Sequence, residues 1–217
     1  MTFFEQLQQA TQTEQADLQS IPIIRKALTG QVTLNQYVAF LTQAYHHVKH
    51  TTPLLMACGA KLSEDKEWLR EAIAHYIEEE LGHQEWILND IKACGADAEA
   101  VRHGQPALAT ELMVAYAYDA IARGNPVGFF GMVHVLEGTS IQLAINAADV
   151  LQQSLGLPKQ AFTYLNSHGS LDLEHVDFFR DLVNRLDSEQ DKACLVHCAK
   201  VVFRLYGDIF RGLETVQ

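Results

Sequence analysis

The chain has 217 residues, of which 48% are hydrophobic, so it is long and apolar enough to bury a sizeable core, and we predict a single domain over residues 1–217. Its formal net charge of −11 argues against the basic surface that a nucleic-acid backbone requires, and we expect no nucleic-acid partner.

Three features bear on the location of the protein. The first ten residues, MTFFEQLQQA, are too polar for a secretory signal. The four cysteines are scattered and form no C-x-x-C pair, which is typical of a reduced compartment. The most apolar window, residues 124–148, contains Pro126 and Glu137, so it predicts a buried helix rather than a membrane span. We therefore expect a cytoplasmic protein that does not insert into a membrane.

The first part of the chain shows helical periodicity divided by capping residues. We expect a helix over about residues 2–20 and a short one over about residues 21–28. Thr33 and Gln36 have the spacing of a capping box, and they predict the start of a long helix that runs to about residue 61. Pro53 lies inside that helix and should kink it, because proline has no backbone N–H to donate.

The middle of the chain predicts two further helices. Ser63 is a suitable N-cap for a helix that continues through Cys94, and Gly95 is placed to end it. A polar connection, residues 96–105, then leads to a helix over about residues 106–123.

The last part of the chain predicts three helices. Asn125, followed by a proline, begins a helix that should end near Gly156. Pro158 opens the next helical segment, and Ser188 with Asp191 three residues later begins the last helix, which should reach about residue 215. Because no segment alternates with a period of two residues, we predict an all-α fold. The expected architecture is a compact bundle of seven or eight helices around a central pocket.

The stretch SHGSLDLEHVDFF carries His168, Asp172 and His175 at intervals of four and three residues. On a helix these side chains fall within one narrow stripe, at roughly 0°, 40° and 340°. Imidazole and carboxylate groups suit iron, manganese or zinc. A hydrogen-bonded buried cluster would have the same pattern, so the triplet alone does not decide between that cluster and a metal site.

A second candidate pair lies in the stretch HYIEEELGHQEW. Glu80 and His83 have the E-x-x-H spacing of carboxylate-bridged diiron bundles. Glu79 stands four residues before the same histidine, so either glutamate could be the ligand. We favour Glu80 and interpret Glu78 as a solvated residue.

A third candidate is Glu137, the only charged side chain between residues 124 and 148. A carboxylate amid so much apolar surface is costly unless it is neutral, paired or bound to a metal. His134, one turn earlier, is a candidate additional ligand or hydrogen-bond partner. The three segments together supply three imidazoles and three carboxylates, enough for two metal ions with open positions for substrate.

The motifs YHHVKHTTP, EEELGHQEWILND, VLEGTS and HGSLDLEH, in that order, make the chain resemble the heme-oxygenase-like superfamily. Within it the chain is most similar to the iron-containing diiron oxidases of the CADD and UndA types, and the likeness covers nearly the whole sequence. This resemblance implies metal ligation by one carboxylate before His83 and by a further set of five residues. That set is His83, Glu137, His168, Asp172 and His175.

The resemblance also has a departure. CADD-type members place a glutamate seven residues before the histidine, where this chain has Tyr76, whereas Glu80 matches the spacing of the UndA type. We name Tyr76 and His50 as candidate catalytic residues, His50 because it lies in a segment that lines the cavity of relatives. His46 and His47 are interpreted as structural or exposed.

The function implied is that of a non-heme iron oxidase or oxygenase. Dioxygen is the expected co-substrate, and the expected substrate is a small, largely apolar organic molecule. Two Fe(II) ions per chain are expected, with manganese as an alternative. A heme oxygenase would need a histidine on its first helix, and residues 1–45 contain none. A homodimer is compatible with long amphipathic helices.

Three other functions remain open. A TenA-type enzyme resembles this fold but uses a cysteine on a pocket helix, and residues 126–155 contain no cysteine. A PqqC-type oxidase without a metal should present Arg or His along its pocket helices, whereas residues 126–155 contain no Arg or Lys. The last alternative is a helical protein that binds a metal or ligand without catalysis.

Overall fold

The computed structural model describes the backbone of residues 1–216 and the side chains of these residues except 139–146 and 168–175. Within residues 1–216 the fold is all-α, as predicted, with eleven α-helices and no strand. The helices are α1 (Phe3–Ser20), α2 (Pro22–Leu28), α3 (Leu34–Val48), α4 (Thr51–Lys61), α5 (Glu67–Glu80), α6 (His83–Ala93), α7 (Ala98–His103), α8 (Leu108–Arg123), α9 (Phe130–Leu155), α10 (Thr163–Val183) and α11 (Glu189–Leu213). Three short 3₁₀ turns cover Glu64–Lys66, Pro126–Phe129 and Lys159–Phe162.

Local capping places several helix starts where the sequence predicts them. Thr33 accepts a hydrogen bond from the backbone of Gln36, and the Gln36 side chain accepts one from the backbone of Thr33, which completes the capping box of α3. Ser188 accepts a hydrogen bond from the backbone of Asp191 at the start of α11. Gly156 has φ +64° just after α9, as expected for the residue that ends a helix.

The predicted helix over residues 33–61 is not continuous. It divides into α3 and α4 at Lys49 and His50, and His50 is the N-cap of α4. Pro53 lies in the first turn of α4 and has no N–H to donate to the carbonyl group of Lys49. The proline therefore interrupts the helix one turn earlier than its own position.

The segment from Ser63 to Cys94 is also not a single helix, contrary to the prediction. It consists of a 3₁₀ turn, α5 and α6, and the break between the helices lies at Leu81 and Gly82. Gly82 has φ +92°, a conformation that glycine adopts without steric cost. These two breaks, with the short helix α7, explain why residues 1–216 contain eleven helices where seven or eight were predicted.

Helix α9 packs against α10, α11 and α2. Helix α1 covers α11, α3 packs on α6, and α4 packs on α5. The closest approach is at Gly131, where an added Cβ atom would lie 2.5 Å from the carbonyl oxygen of Leu195 and 2.6 Å from the backbone nitrogen of Ala199. Glycine at residue 131 therefore allows the backbones of α9 and α11 to touch.

None of the helices, in the part of the chain that the structure describes, has the length and apolar character needed to cross a lipid bilayer.

Candidate metal centre and cavity

A cavity of about 80 Å³ lies between α3, α4, α5, α9, α10 and α11. Its polar lining residues are His47, Thr51, Tyr76, Glu80, Glu137, Tyr164 and Tyr206. Its apolar lining residues are Val48, Leu54, Leu55, Phe129, Met132, Val133 and Leu136. Two carboxylates, Glu80 and Glu137, share the cavity, and among the described residues that line it there is no Lys or Arg.

Glu80 and His83 meet across the break between α5 and α6. Glu80 is the last residue of α5, His83 is the first of α6, and Glu80 Oε2 lies 3.0 Å from His83 Nδ1. The imidazole is 2% exposed and stacks on Trp86 with ring centroids 4.1 Å apart. A neutral imidazole keeps a lone pair on one ring nitrogen, and this is the form of histidine that binds a metal.

Glu79 has a different environment from Glu80. Its Oε1 lies 3.3 Å from Nε2 of His75, a side chain that is 50% exposed. Glu79 does not belong to the described lining of the cavity, whereas Glu80 does. The structure therefore directs Glu80 toward the cavity and Glu79 toward a half-exposed histidine.

Glu137 lies on α9 and shares the cavity with Tyr76. The pKa of the buried Tyr76 phenol is raised, first by burial and then by the negative charge of three carboxylates, Glu137, Glu79 and Glu80. Of these three charges, that of Glu137 has the largest effect on the phenol. Negative charge is thus concentrated where Tyr76 lies, and a bound cation would compensate it. The donor set, carboxylate and imidazole, is one that iron and manganese accept.

The triplet of His168, Asp172 and His175 belongs to α10, but its side chains lie outside the described residues. Among the side chains that are described, no group of three or more His, Cys, Asp or Glu is arranged to hold a metal ion. The described part of the candidate centre is therefore Glu80, His83 and Glu137.

His134 faces away from the cavity. Its ring stacks on Phe179 at a centroid distance of 5.8 Å and meets Phe4 and Phe203 edge-on. Burial lowers its pKa to about 4, so the imidazole is neutral at pH 7. His134 is a core histidine in this structure. Phe179 packs in the same core, against His134 and Phe4.

The three histidines near the α3 and α4 break occupy different positions. His50 Nδ1 lies 3.1 Å from the Tyr118 hydroxyl, and His50 is not among the residues that line this cavity. His47, expected to be structural or exposed, is 4% exposed, lines the cavity and meets the ring of Tyr206 edge-on at 6.0 Å. His46 is buried, and burial lowers its pKa to about 4.

Three of the polar residues in the lining have no local sequence signal for a position at a cavity. His47, Tyr164 and Tyr206 lie in apolar helical patterns in which a histidine or tyrosine is usually a core residue. Only the packing of α3, α10 and α11 around one cavity distinguishes them. Phe129, Met132 and Leu136 are part of the apolar lining of the same cavity.

Asp90 is a further buried carboxylate, 0% exposed, on the same helix as His83. Its Oδ1 accepts a hydrogen bond from the backbone of Thr163 at 3.1 Å, and its Oδ2 accepts one from Tyr164 at 2.8 Å. Burial raises its pKa to about 6, although the hydrogen bonds act in the opposite direction. Asp90 therefore joins α6 to the start of α10.

A sequence model of the family described as "iron-containing redox enzyme" matches residues 38–207. A search among curated proteins finds no match. A solved structure from Shewanella denitrificans OS217, a domain of unknown function with a heme oxygenase-like fold, is 24% identical, and the match covers 99% of this chain and 92% of that one with a TM-score of 0.88.

Two other solved structures share the fold at lower identity. A TenA homologue from Pseudomonas syringae pv. tomato DC3000 is 12% identical, with 99% of this chain and 93% of that one covered and a TM-score of 0.82. A CADD-like protein of unknown function from Nostoc punctiforme PCC 73102 is 15% identical, with coverage of 99% and 97% and a TM-score of 0.77. At these identities the likeness establishes a heme oxygenase-like fold.

Proposed function

The chain belongs to the family of iron-containing redox enzymes, and we propose that it is a non-heme iron oxidase or oxygenase that uses O₂ to oxidise a small, largely apolar organic molecule. The observation that carries this proposal is the meeting of the Glu80 and His83 pair with Glu137 and Tyr76 around one cavity. The carboxylates there lie beside a phenol whose pKa is raised by burial and by their charge, and the apolar lining keeps bulk water away.

The proposed ligands are Glu80, His83, Glu137, His168, Asp172 and His175, which would hold two Fe(II) ions per chain, with manganese as the alternative metal. Three carboxylates against two divalent ions leave one net positive charge, a tolerable value for a buried site. When bound, Fe(II) supplies the electrons that reduce O₂.

The packing of α9 on α10 supports this ligand set. The two helices are joined by a short connection, and Phe179 on α10 stacks on His134 on α9 at the far end of the pair, so the helices run antiparallel. Glu137 follows His134 by nearly one helical turn, and His175 precedes Phe179 by about one turn in the sequence. We therefore expect His175 and Glu137 to be at the same level of the bundle and to serve one metal.

The other cavity residues have proposed roles in binding. Tyr76 lines the cavity with Glu137, and its proposed role is to donate a hydrogen bond from its hydroxyl to that carboxylate. His47 and Tyr206 also line the cavity, and their rings meet edge-on at 6.0 Å. Burial raises the pKa of the Tyr206 phenol. We assign the polar end of the substrate to His47, and we place His50 behind it as the N-cap of α4 and a partner of Tyr118.

The test is anaerobic titration with Fe(II), followed by exposure to O₂ with and without candidate substrates that combine an apolar body with one polar end. We expect about two Fe(II) per chain and O₂ consumption that a substrate accelerates. Fewer than one Fe(II) per chain, or oxidation of iron that no candidate substrate affects, would leave a metal-binding protein without catalysis as the better description.

A TenA-like activity without a metal is the second candidate, and the similarity to the TenA homologue favours it. The described lining of the cavity contains no cysteine, however, and the nearby core thiols are poor nucleophiles because burial raises the pKa of Cys58 and of Cys198 to about 12. A PqqC-like oxidase without a metal is disfavoured by the absence of Lys and Arg from the same described lining.

A further inference from the structure

The start of α10 has no cap of its own. Its N-cap residue is Phe162, whose side chain has no acceptor, and no side-chain hydrogen bond caps the helix from that position. The backbone N–H groups of the first turn of a helix need acceptors from elsewhere. Asp90 provides them from α6, with Oδ1 on Thr163 and Oδ2 on Tyr164. A carboxylate at this position is also stabilised by the partial positive charge of the helix N-terminus.

A second contact holds the turn that precedes α10. The Tyr37 hydroxyl donates to the carbonyl oxygen of Ala161 at 2.7 Å, and the Tyr37 ring stacks on Phe162 with centroids 5.0 Å apart. Residues 161–164 therefore make contacts with both α3 and α6. Among the four residues held is Tyr164, which lines the cavity.

Asp90 also shares a helix face with His83. The two residues are seven positions apart on α6, or about two turns, and both are buried. On the other side of the contact, His168 follows Thr163 by five residues, little more than one turn of α10. One rigid carboxylate thus connects the helix of His83 with the helix that carries the triplet.

We propose that Asp90 is a positioning residue, which holds α10 against α6 so that His83 and the α10 triplet can bind the same metal centre. The proposal rests on the proposed function for the identity of the ligands. The contact itself depends only on Asp90 and the two backbone N–H groups.

The test compares Asp90→Ala and Asp90→Asn with the wild type in two measurements: amide hydrogen exchange of metal-free protein, and anaerobic Fe(II) titration. In Asp90→Ala, we expect exchange to be faster by about tenfold or more in peptides from residues 163–175, with little change in α1. The apparent Fe(II) affinity should fall by roughly 10- to 100-fold. Asp90→Asn keeps one acceptor oxygen and should give a smaller effect in both.

The matched control is Asp191→Ala. Asp191 is also a buried carboxylate, 5% exposed, and it accepts a hydrogen bond from Asn125 at 2.6 Å and pairs with Lys66 at 2.9 Å. Its removal should destabilise the start of α11 without selective exchange in residues 163–175.

The outcomes separate the two proposals. Unchanged exchange in residues 163–175 of Asp90→Ala, or acceleration spread evenly over the chain, overturns the role of Asp90 whatever the iron result. If Asp90→Ala does not fold, the same criteria apply to Asp90→Asn. Wild-type protein that binds no Fe(II) overturns the proposed function, while the exchange data still decide whether Asp90 anchors α10.

Discussion

Glu80, at the end of α5, contacts His83, at the start of α6, with Glu80 Oε2 3.0 Å from His83 Nδ1. Their separation of three residues would allow contact on a continuous helix, but here Gly82 turns the chain between them at φ +92°. The pair therefore depends on a backbone conformation as well as on its spacing.

Replacing Gly82 with Ala tests that dependence. No heavy atom lies within 4 Å of an added Cβ, so the expected cost comes from the left-handed backbone alone and is about 1–2 kcal/mol in unfolding free energy. Relief of that strain should displace His83 and weaken Fe(II) binding. Denaturant unfolding and anaerobic Fe(II) titration measure the two effects.

Gly95→Ala is the control for this substitution. Gly95 has φ +80° and equally open space around its Cβ position, so its loss of stability should be similar. It ends α6 at the other end from His83, and its Fe(II) binding should match the wild type. Equal iron affinity in both variants would contradict the role assigned to the turn at Gly82.

The two neighbouring glutamates should behave differently. Glu80→Gln removes a charge at the cavity and is expected to weaken Fe(II) binding by about tenfold or more, whereas Glu79→Gln should leave it nearly unchanged. Iron stoichiometry and affinity measured side by side distinguish the two glutamates. A larger loss in Glu79→Gln would reverse the assignment.

The triplet on α10 is tested by His168→Ala and Asp172→Ala. Each should remove metal from one half of the centre, so that about one Fe(II) per chain remains. Circular dichroism should show nearly the same helicity as the wild type. Full iron content in both variants would exclude these residues as ligands.

The buried imidazole of His134 predicts a pH effect on stability. Burial lowers its pKa in the folded chain from 6.5 to about 4, so below pH 6.5 the unfolded chain takes up the proton first. Stability present at pH 7 should be lost as the pH falls, and this residue should account for about 2 kcal/mol between pH 7 and pH 5. The measurement is denaturant unfolding of metal-free protein at both values.

His134→Leu should lose less stability over this interval than the wild type, by about the same 2 kcal/mol. The control is His103→Gln, because the His103 side chain is 76% exposed and its substitution should leave the pH dependence as it is. Identical pH dependence in wild type and His134→Leu would show that His134 is not a neutral core residue.

Local signals made much of the fold predictable. Thr33 and Ser188 cap helices through contacts with residues three positions away, so the sequence contains the whole interaction. The sequence predicts a continuous helix through Gly82, because glycine is tolerated inside a helix. The left-handed backbone angle of Gly82 depends instead on how α5 and α6 pack. Helix breaks were therefore harder to predict than helix starts.

The candidate site likewise contains residues that the sequence reveals and residues that only the packing of distant helices reveals. The spacing of Glu80 and His83 and the apolar surroundings of Glu137 are visible in the sequence, and the structure has these residues at or beside one cavity. The cavity position of His47 depends on Tyr206, more than 150 residues away along the chain, and no local pattern reveals it. Asp90 likewise acquires its role only from the helix that it caps.

The contact at Gly131 limits how the cavity can change shape. With the backbones of α9 and α11 already touching, neither helix can move toward the other, and a side chain at residue 131 would force them apart. The wall that carries Glu137 therefore cannot move toward α11, and we expect room for a bulkier ligand to come from another wall, such as the interrupted α3 and α4 wall. Differences in ligand size among proteins of this architecture should accordingly be encoded around His47 and Thr51, while residue 131 stays small.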